Sequence, residues 1–218
     1  MIDIIKQEEL FTAIGNALPK KVSVYAIGGT AMMFHGIKDS TKDIDLVFES
    51  QKERAEFMET LRKLGSKGSD VNFVYGLKEN TPLMLEFDNC RFDMFLSKII
   101  TSTFSDKMKE RARQVHEFGN LLIKAADPSD VIIMKSATSR DKDGDDIGLI
   151  VNKQRIDWSQ VIEEAKEQVV LGNNKAVLEL GIKLSGLFKS KTANIPESVL
   201  DELWNMFEKQ SKGKTKRE

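Results

Sequence analysis

Thr41-Lys42-Asp43-Ile44-Asp45-Leu46-Val47-Phe48 is the stretch that decides the fold. Residues 43–49 alternate. Ile44, Leu46 and Phe48 point one way; Asp43, Asp45 and Val47 point the other, the period of a β-strand with one face in a core. Side chains two apart on a strand share a face, so Asp43 and Asp45 project together. Two adjacent carboxylates repel unless a cation or solvent offsets the charge. Such a shelf is what a hard divalent ion such as Mg²⁺ uses: oxygen ligands, few from protein, the rest from water and phosphate. A solvated acidic strand face is the alternative reading of the pair alone.

Upstream, residues 22–27 (VSVYAI) read as a strand that stops at Gly28-Gly29, followed by a short helix from Thr30 to about His35. Glycines at a strand-to-helix turn let backbone N–H groups approach a phosphate; an ordinary tight turn would look the same. The dinucleotide pattern GxGxxG and the Walker pattern GxxxxGK[ST] are both absent. Downstream, Phe92, Met94 and Leu96 alternate with Arg91, Asp93 and Phe95. Asp93 is an acid in an otherwise core-like strand, costly without a partner. It either shares a cation with Asp43 and Asp45 or faces solvent on an edge hairpin.

Around these segments the spacing predicts helices over 3–18, ended by Pro19, and over 51–64. It predicts strands over 71–75, 83–87 and 91–97, with Asp88-Asn89 as a hairpin turn, and a second hairpin over 112–125 with Gly119-Asn120 at its turn. From Pro128 onward the pattern is helical, with apolar stripes through Trp158, Val161, Ile162, Ala165 and Val169, through Val177, Leu180, Leu184 and Leu187, and through Val199, Leu200, Leu203, Trp204 and Phe207. The fold class is therefore α/β (α+β): a mixed-sheet core at 1–127, a helical domain at 128–210 and a disordered basic tail at 211–218. Lys135, Ser139, Lys142 and Asp146 are spaced for one helical side, with Asp143 and Asp146 orienting the cations or meeting the substrate; a solvated, mixed-charge helix or loop is the alternative reading.

The chain has 218 residues, 33 basic and 34 acidic, for a net charge of −1. That balance excludes a globally basic nucleic-acid binder. No apolar run reaches the ~20 residues of a membrane span, and the N-terminus lacks a secretory pattern. Cys90 is the only cysteine, so an intrachain disulfide is excluded and a cytoplasmic setting is expected. With two histidines besides, a zinc site of thiolates and imidazoles is hard to assemble.

Gly28-Gly29-Thr30, Asp43-Ile44-Asp45 and Phe92-Asp93-Met94 together resemble the polymerase β-like nucleotidyltransferase superfamily. The segment Lys135 to Ile147, with Arg140, Lys142, Asp143 and Asp146, is similar to that of the AbiEii/MenT-like branch, which includes toxins of type IV toxin–antitoxin systems. The resemblance covers about residues 22–150. It implies that Asp43, Asp45 and Asp93 are catalytic and metal-binding, holding two Mg²⁺ ions, with Mn²⁺ as a substitute. It implies that Gly28, Gly29, Thr30, Lys42, Lys135, Arg140 and Lys142 contact the nucleotide. The implied reaction moves an NMP from an NTP to an acceptor hydroxyl, with pyrophosphate released. The acceptor is then an RNA end, tRNA first, or an aminoglycoside-type small molecule, and an antitoxin is an expected partner. A catalytically silent nucleotide- or partner-binding module is the rival from another class. Relatives often carry Arg in the loop before the first acids; here Lys38 stands there, without the planar fork that grips phosphate at two points.

Overall fold

The computed structural model describes residues 1–138 and 141–214. The chain divides into two compact units, the first Met1–Ile100 with Phe104–Asp127, the second Thr101–Thr103 with the chain from Pro128 onward.

In chain order the elements are β1 (Ile2–Asp3), α1 (Ile4–Ala17), β2 (Val22–Ala26), α2 (Gly28–Phe34), β3 (Ser40–Thr41), β4 (Asp43–Phe48), α3 (Gln51–Lys63), β5 (Lys67–Gly68), α4 (Val71–Tyr75), β6 (Leu83–Phe87), β7 (Cys90–Phe95), β8 (Lys98–Ile99), β9 (Ser102–Thr103), α5 (Asp106–Arg111), β10 (Gln114–Phe118) and β11 (Leu121–Ala125). Helices follow: α6 (Pro128–Ser136), α7 (Asp141–Lys153), α8 (Trp158–Val170), α9 (Asn174–Lys189) and α10 (Glu197–Lys214).

The first unit is built on a seven-stranded mixed sheet in the order β10-β11-β2-β4-β7-β6-β5. β4 is central, antiparallel to β2 and parallel to β7. Its burial follows from its sequence: Ile44, Leu46 and Phe48 are fully buried on one face, while Asp43 and Asp45 are half-buried on the other. From Val47 both faces are covered, so the acids sit where the strand has one open side. The core beneath gathers Leu10, Phe11 and Ile14 of α1, Phe57 and Leu61 of α3, and Phe92 and Met94 of β7. Local chemistry sets the helix starts. Asp3 accepts the Lys6 N–H at 2.8 Å to cap α1, and Ser50 accepts the Glu53 N–H at 3.2 Å to cap α3. At Asp88-Asn89 both residues have positive φ, 48° and 58°, the twist a two-residue hairpin turn needs.

Two sequence expectations are corrected. Residues 71–75 form the short helix α4, not a strand. The Asp70 carboxylate accepts the N–H groups of Asn72 and Phe73, at 2.9 and 3.4 Å, and nucleates a turn; Gly76, at φ 61°, ends it. The segment from Lys135 to Asp146 is not one continuous helix: α6 stops at Ser136 and α7 starts at Asp141. α10 runs through Lys214; Ser139, Arg140 and residues 215–218 lie outside the described residues.

The second unit is helical, with α6 packed on α7, α8 and α9, and α10 packed on α8 and α9. Its apolar centre holds Ile132, Ile150, Val161, Val177, Leu180 and Leu203, all fully buried. Among the described residues no helix is long and apolar enough to cross a membrane.

Candidate active site

The three acids of the sequence reading lie on one face of the sheet. In the parallel pairing of β4 with β7, Asp45 is opposite Asp93 and Asp43 is opposite Arg91. Neighbouring strands run about 4.8 Å apart, so Asp45 and Asp93 are side by side, with Asp43 two residues along.

The glycine turn holds Asp45 from three directions. The Ile27 N–H donates to the Asp45 carbonyl at 3.1 Å. The Asp45 N–H donates to the Thr30 hydroxyl at 2.9 Å. The Asp45 carboxylate packs over Gly28, where a Cβ would lie 2.6 Å from its Oδ2. Gly28 also has φ +53°, the left-handed region that glycine enters without strain. Gly29 fits against Thr41 in the same way, since a Cβ there would land on the threonine hydroxyl. Thr30 is fully buried and spends its hydroxyl on β4, so in this structure it positions Asp45 instead of lining the open face. Lys42, next to Asp43, is exposed.

Two side chains that the sequence reading passed over complete the group. Arg91 reaches across the face of the sheet. Its Nε donates to Asp93 Oδ1 at 2.8 Å and its Nη2 to Asp93 Oδ2 at 2.9 Å, and Nη2 also donates to Asp43 Oδ2. Tyr75, at the end of α4, donates its hydroxyl to Asp93 Oδ2 at 2.6 Å. The spacing of Arg91 to Asp93 was a usable signal, since i and i+2 share a strand face. Tyr75 left none, because its approach depends on where α4 packs.

Burial dominates the electrostatics. Asp93 is 0% exposed, and this desolvation pushes its carboxyl above the ordinary range, against the pull of Arg91 and Tyr75. The Tyr75 phenol is pushed up by burial first, then by the charges of Asp45 and Asp93. Burial works against the Arg91 charge, yet the hydrogen bond and charge of Asp93 outweigh it and hold the guanidinium protonated.

The donor set fits a hard divalent ion in kind: carboxylate oxygens from adjacent strands on one rigid face. Among the described residues no group of three such side chains is set to hold an ion as it stands, and Arg91 is bonded to two of the three acids.

The remaining expected site residues lie in the second unit. Lys135 is buried, and its Nζ donates to Asp146 Oδ2 at 2.6 Å and to Asp143 Oδ1 at 3.3 Å. Thr138 donates to Asp143, and Lys183 on α9 donates to the carbonyls of Lys135, at 3.2 Å, and Thr138. The charge of Lys135 is therefore matched within the helical unit, and Asp143 and Asp146 orient it. Lys142 is exposed.

Residues 7–186 match the model of a family described as nucleotidyltransferase of unknown function, DUF6036. The chain belongs to this family. The chain is similar to the crystal structure of ANT(2")-Ia in complex with adenylyl-2"-tobramycin, with 15% identity, a TM-score of 0.46, and coverage of 82% of this chain and 97% of that one. It is similar also to JHP933 from Helicobacter pylori, with 12% identity, a TM-score of 0.39, and coverage of 97% and 96%. Neither likeness speaks to this chain's substrate. No curated protein sequence matches the chain.

Proposed function

We propose that the first unit transfers a nucleoside monophosphate from an NTP to an acceptor hydroxyl, with a divalent cation held by Asp43, Asp45 and Asp93. The observation that carries this reading is the parallel register that sets Asp45 beside Asp93, with Asp43 on the same face. The acceptor oxygen attacks the α-phosphorus, the bond to the β-phosphate oxygen breaks, and pyrophosphate leaves with that electron pair. A bound Mg²⁺ or Mn²⁺ supplies charge neutralisation on the phosphates. Asp43 and Asp45 hold the cation side of the triphosphate, and Asp93 takes the hydroxyl proton. The backbone of the Gly28-Gly29 turn is the phosphate cradle beside Asp45, and exposed Lys42 is a cation for the outer oxygens.

An RNA end, tRNA first, is the acceptor class supported by the likeness of the Lys135–Ile147 segment to the AbiEii/MenT-like branch; an antitoxin partner belongs to that reading. An aminoglycoside-type molecule is the second class, favoured by a net charge of −1, which supplies no general attraction to RNA. One observation favours a catalytically silent nucleotide-binding module instead: Arg91 occupies Asp43 and Asp93.

The test is incubation with Mg²⁺, each labelled NTP, and either bulk tRNA or an aminoglycoside panel. Label transfer that is lost in Asp45→Ala supports the enzyme and names the acceptor class. NTP binding with no transfer to any acceptor favours the silent module.

A further inference from the structure

The arrangement of Arg91 points to a second role for this side chain. Arg91 stands opposite Asp43 and two residues before Asp93, so its guanidinium lies across the same face as the acids. One nitrogen, Nη2, touches both Asp43 and Asp93. Asp93 Oδ1 accepts from Arg91 Nε, and Asp93 Oδ2 accepts from both Arg91 Nη2 and Tyr75. Thus both oxygens of a fully buried carboxylate are engaged by donors of this chain, in the fork geometry that makes arginine–carboxylate pairs strong and directional. A cation shared by Asp43 and Asp93 would compete for the position between them that Nη2 now fills. Two positive charges cannot share that position in a partly desolvated site without large repulsion.

We infer that Arg91 is a built-in counter-cation that competes with the divalent ion for Asp43 and Asp93, with Tyr75 as the second half of the clamp. Without a bound ion it offsets part of the charge of Asp43 and Asp93 and ties the two side chains together. Ion binding requires Arg91 to release at least one of them. Arg91 and Tyr75 are positioning residues here, and the inference rests on the metal-dependent reading above.

The test reads ion binding and unfolding, not turnover. Mn²⁺ is titrated into the full chain, with free Mn²⁺ followed by its electron paramagnetic resonance signal, and melting is recorded with EDTA and with Mn²⁺. Arg91→Met is expected to bind Mn²⁺ at least about tenfold more tightly than the unaltered protein, since a competing charge has gone. Its melting temperature should fall in EDTA and recover with Mn²⁺ by more than that of the unaltered chain. Arg91→Lys, which keeps the charge and loses the fork, should lie between. Equal or weaker Mn²⁺ binding by Arg91→Met overturns the inference. Should Arg91→Met not fold, Tyr75→Phe decides: removal of one donor to Asp93 should tighten Mn²⁺ severalfold, and unchanged or weaker binding overturns the idea. If the unaltered chain binds Mn²⁺ and no variant binds it more tightly, only this inference fails. If no form binds Mn²⁺, with or without ATP, the metal-dependent function fails too.

Discussion

Asp45 and Asp93 are cross-strand partners in a parallel pair, and each is restrained by a different part of the fold. Asp45 is held by the glycine turn through the Ile27 N–H and the Thr30 hydroxyl. Asp93 is held by Arg91 and Tyr75. The backbone of Asp45 and the carboxylate of Asp93 are thus fixed by different parts of the fold.

Replacing Asp45 by its amide should therefore remove chemistry without unfolding the sheet. For Asp45→Asn we expect label transfer to fall by at least about a thousandfold, roughly 4 kcal/mol of transition-state stabilisation. The melting temperature should move by a few degrees at most. Transfer that survives in both Asp45→Asn and Asp93→Asn would place the reaction elsewhere in the molecule.

Two glycines with similar backbone angles should behave differently. Gly28 has φ +53° and Asp45 Oδ2 in the path of any Cβ; Gly36 has φ +64° and open space around it. Gly36→Ala should cost about 1 kcal/mol of stability, the strain of the left-handed region, and leave transfer intact. Gly28→Ala should cost more and displace Asp45, so transfer collapses. Urea unfolding measures the first quantity and labelled NTP the second; equal effects of the two changes on transfer would refute the close approach.

In the helical unit, Lys135 is paired with both Asp143 and Asp146 in a buried setting. Lys135→Met should leave those acids without their lysine and destabilise the chain by about 3–5 kcal/mol, as for other broken buried pairs. Denaturant unfolding of the variant checks this. A change below about 1 kcal/mol would mean that the lysine is dispensable for folding.

His116 should make part of the stability depend on pH. Its ring stacks on Phe34 with centroids 4.0 Å apart, and burial lowers its pKa below the ordinary 6.5. The fold thus favours the neutral ring. The contribution is complete above pH about 6.5 and is lost as pH falls through the lowered folded-state value. Melting temperatures at pH 7.5 and 5.5 should differ less in His116→Gln than in the unaltered protein. An identical drop in both would assign the acid sensitivity to other groups.

Much of the candidate site was legible because strand periodicity is local. Asp43-x-Asp45 shares a face on any strand, and Asp93 among Phe92 and Met94 marks an acid that needs company. The helix signals of α1, α3 and α8 lay in their apolar spacing, and the hairpin at Asp88-Asn89 lay in its turn residues. Misreadings arose where two local patterns compete. Val71 to Tyr75 carries strand-forming residues, but the Asp70 carboxylate caps a helical turn there. Lys135 to Asp146 has helical spacing throughout, yet the chain breaks it after Ser136.

By itself the sequence determined the strand that bears the first two acids, the glycine turn before it, and the division into a sheet unit and a helical unit. These depend on hydrophobic period and backbone freedom, which act over a few residues. Only the tertiary structure decided that β4 runs parallel to β7 with Asp45 against Asp93, that Thr30 holds Asp45, and that Arg91 and Tyr75 grip the third acid. Strand register and side-chain pairing are set when distant segments pack together, and no local spacing encodes which of them will meet.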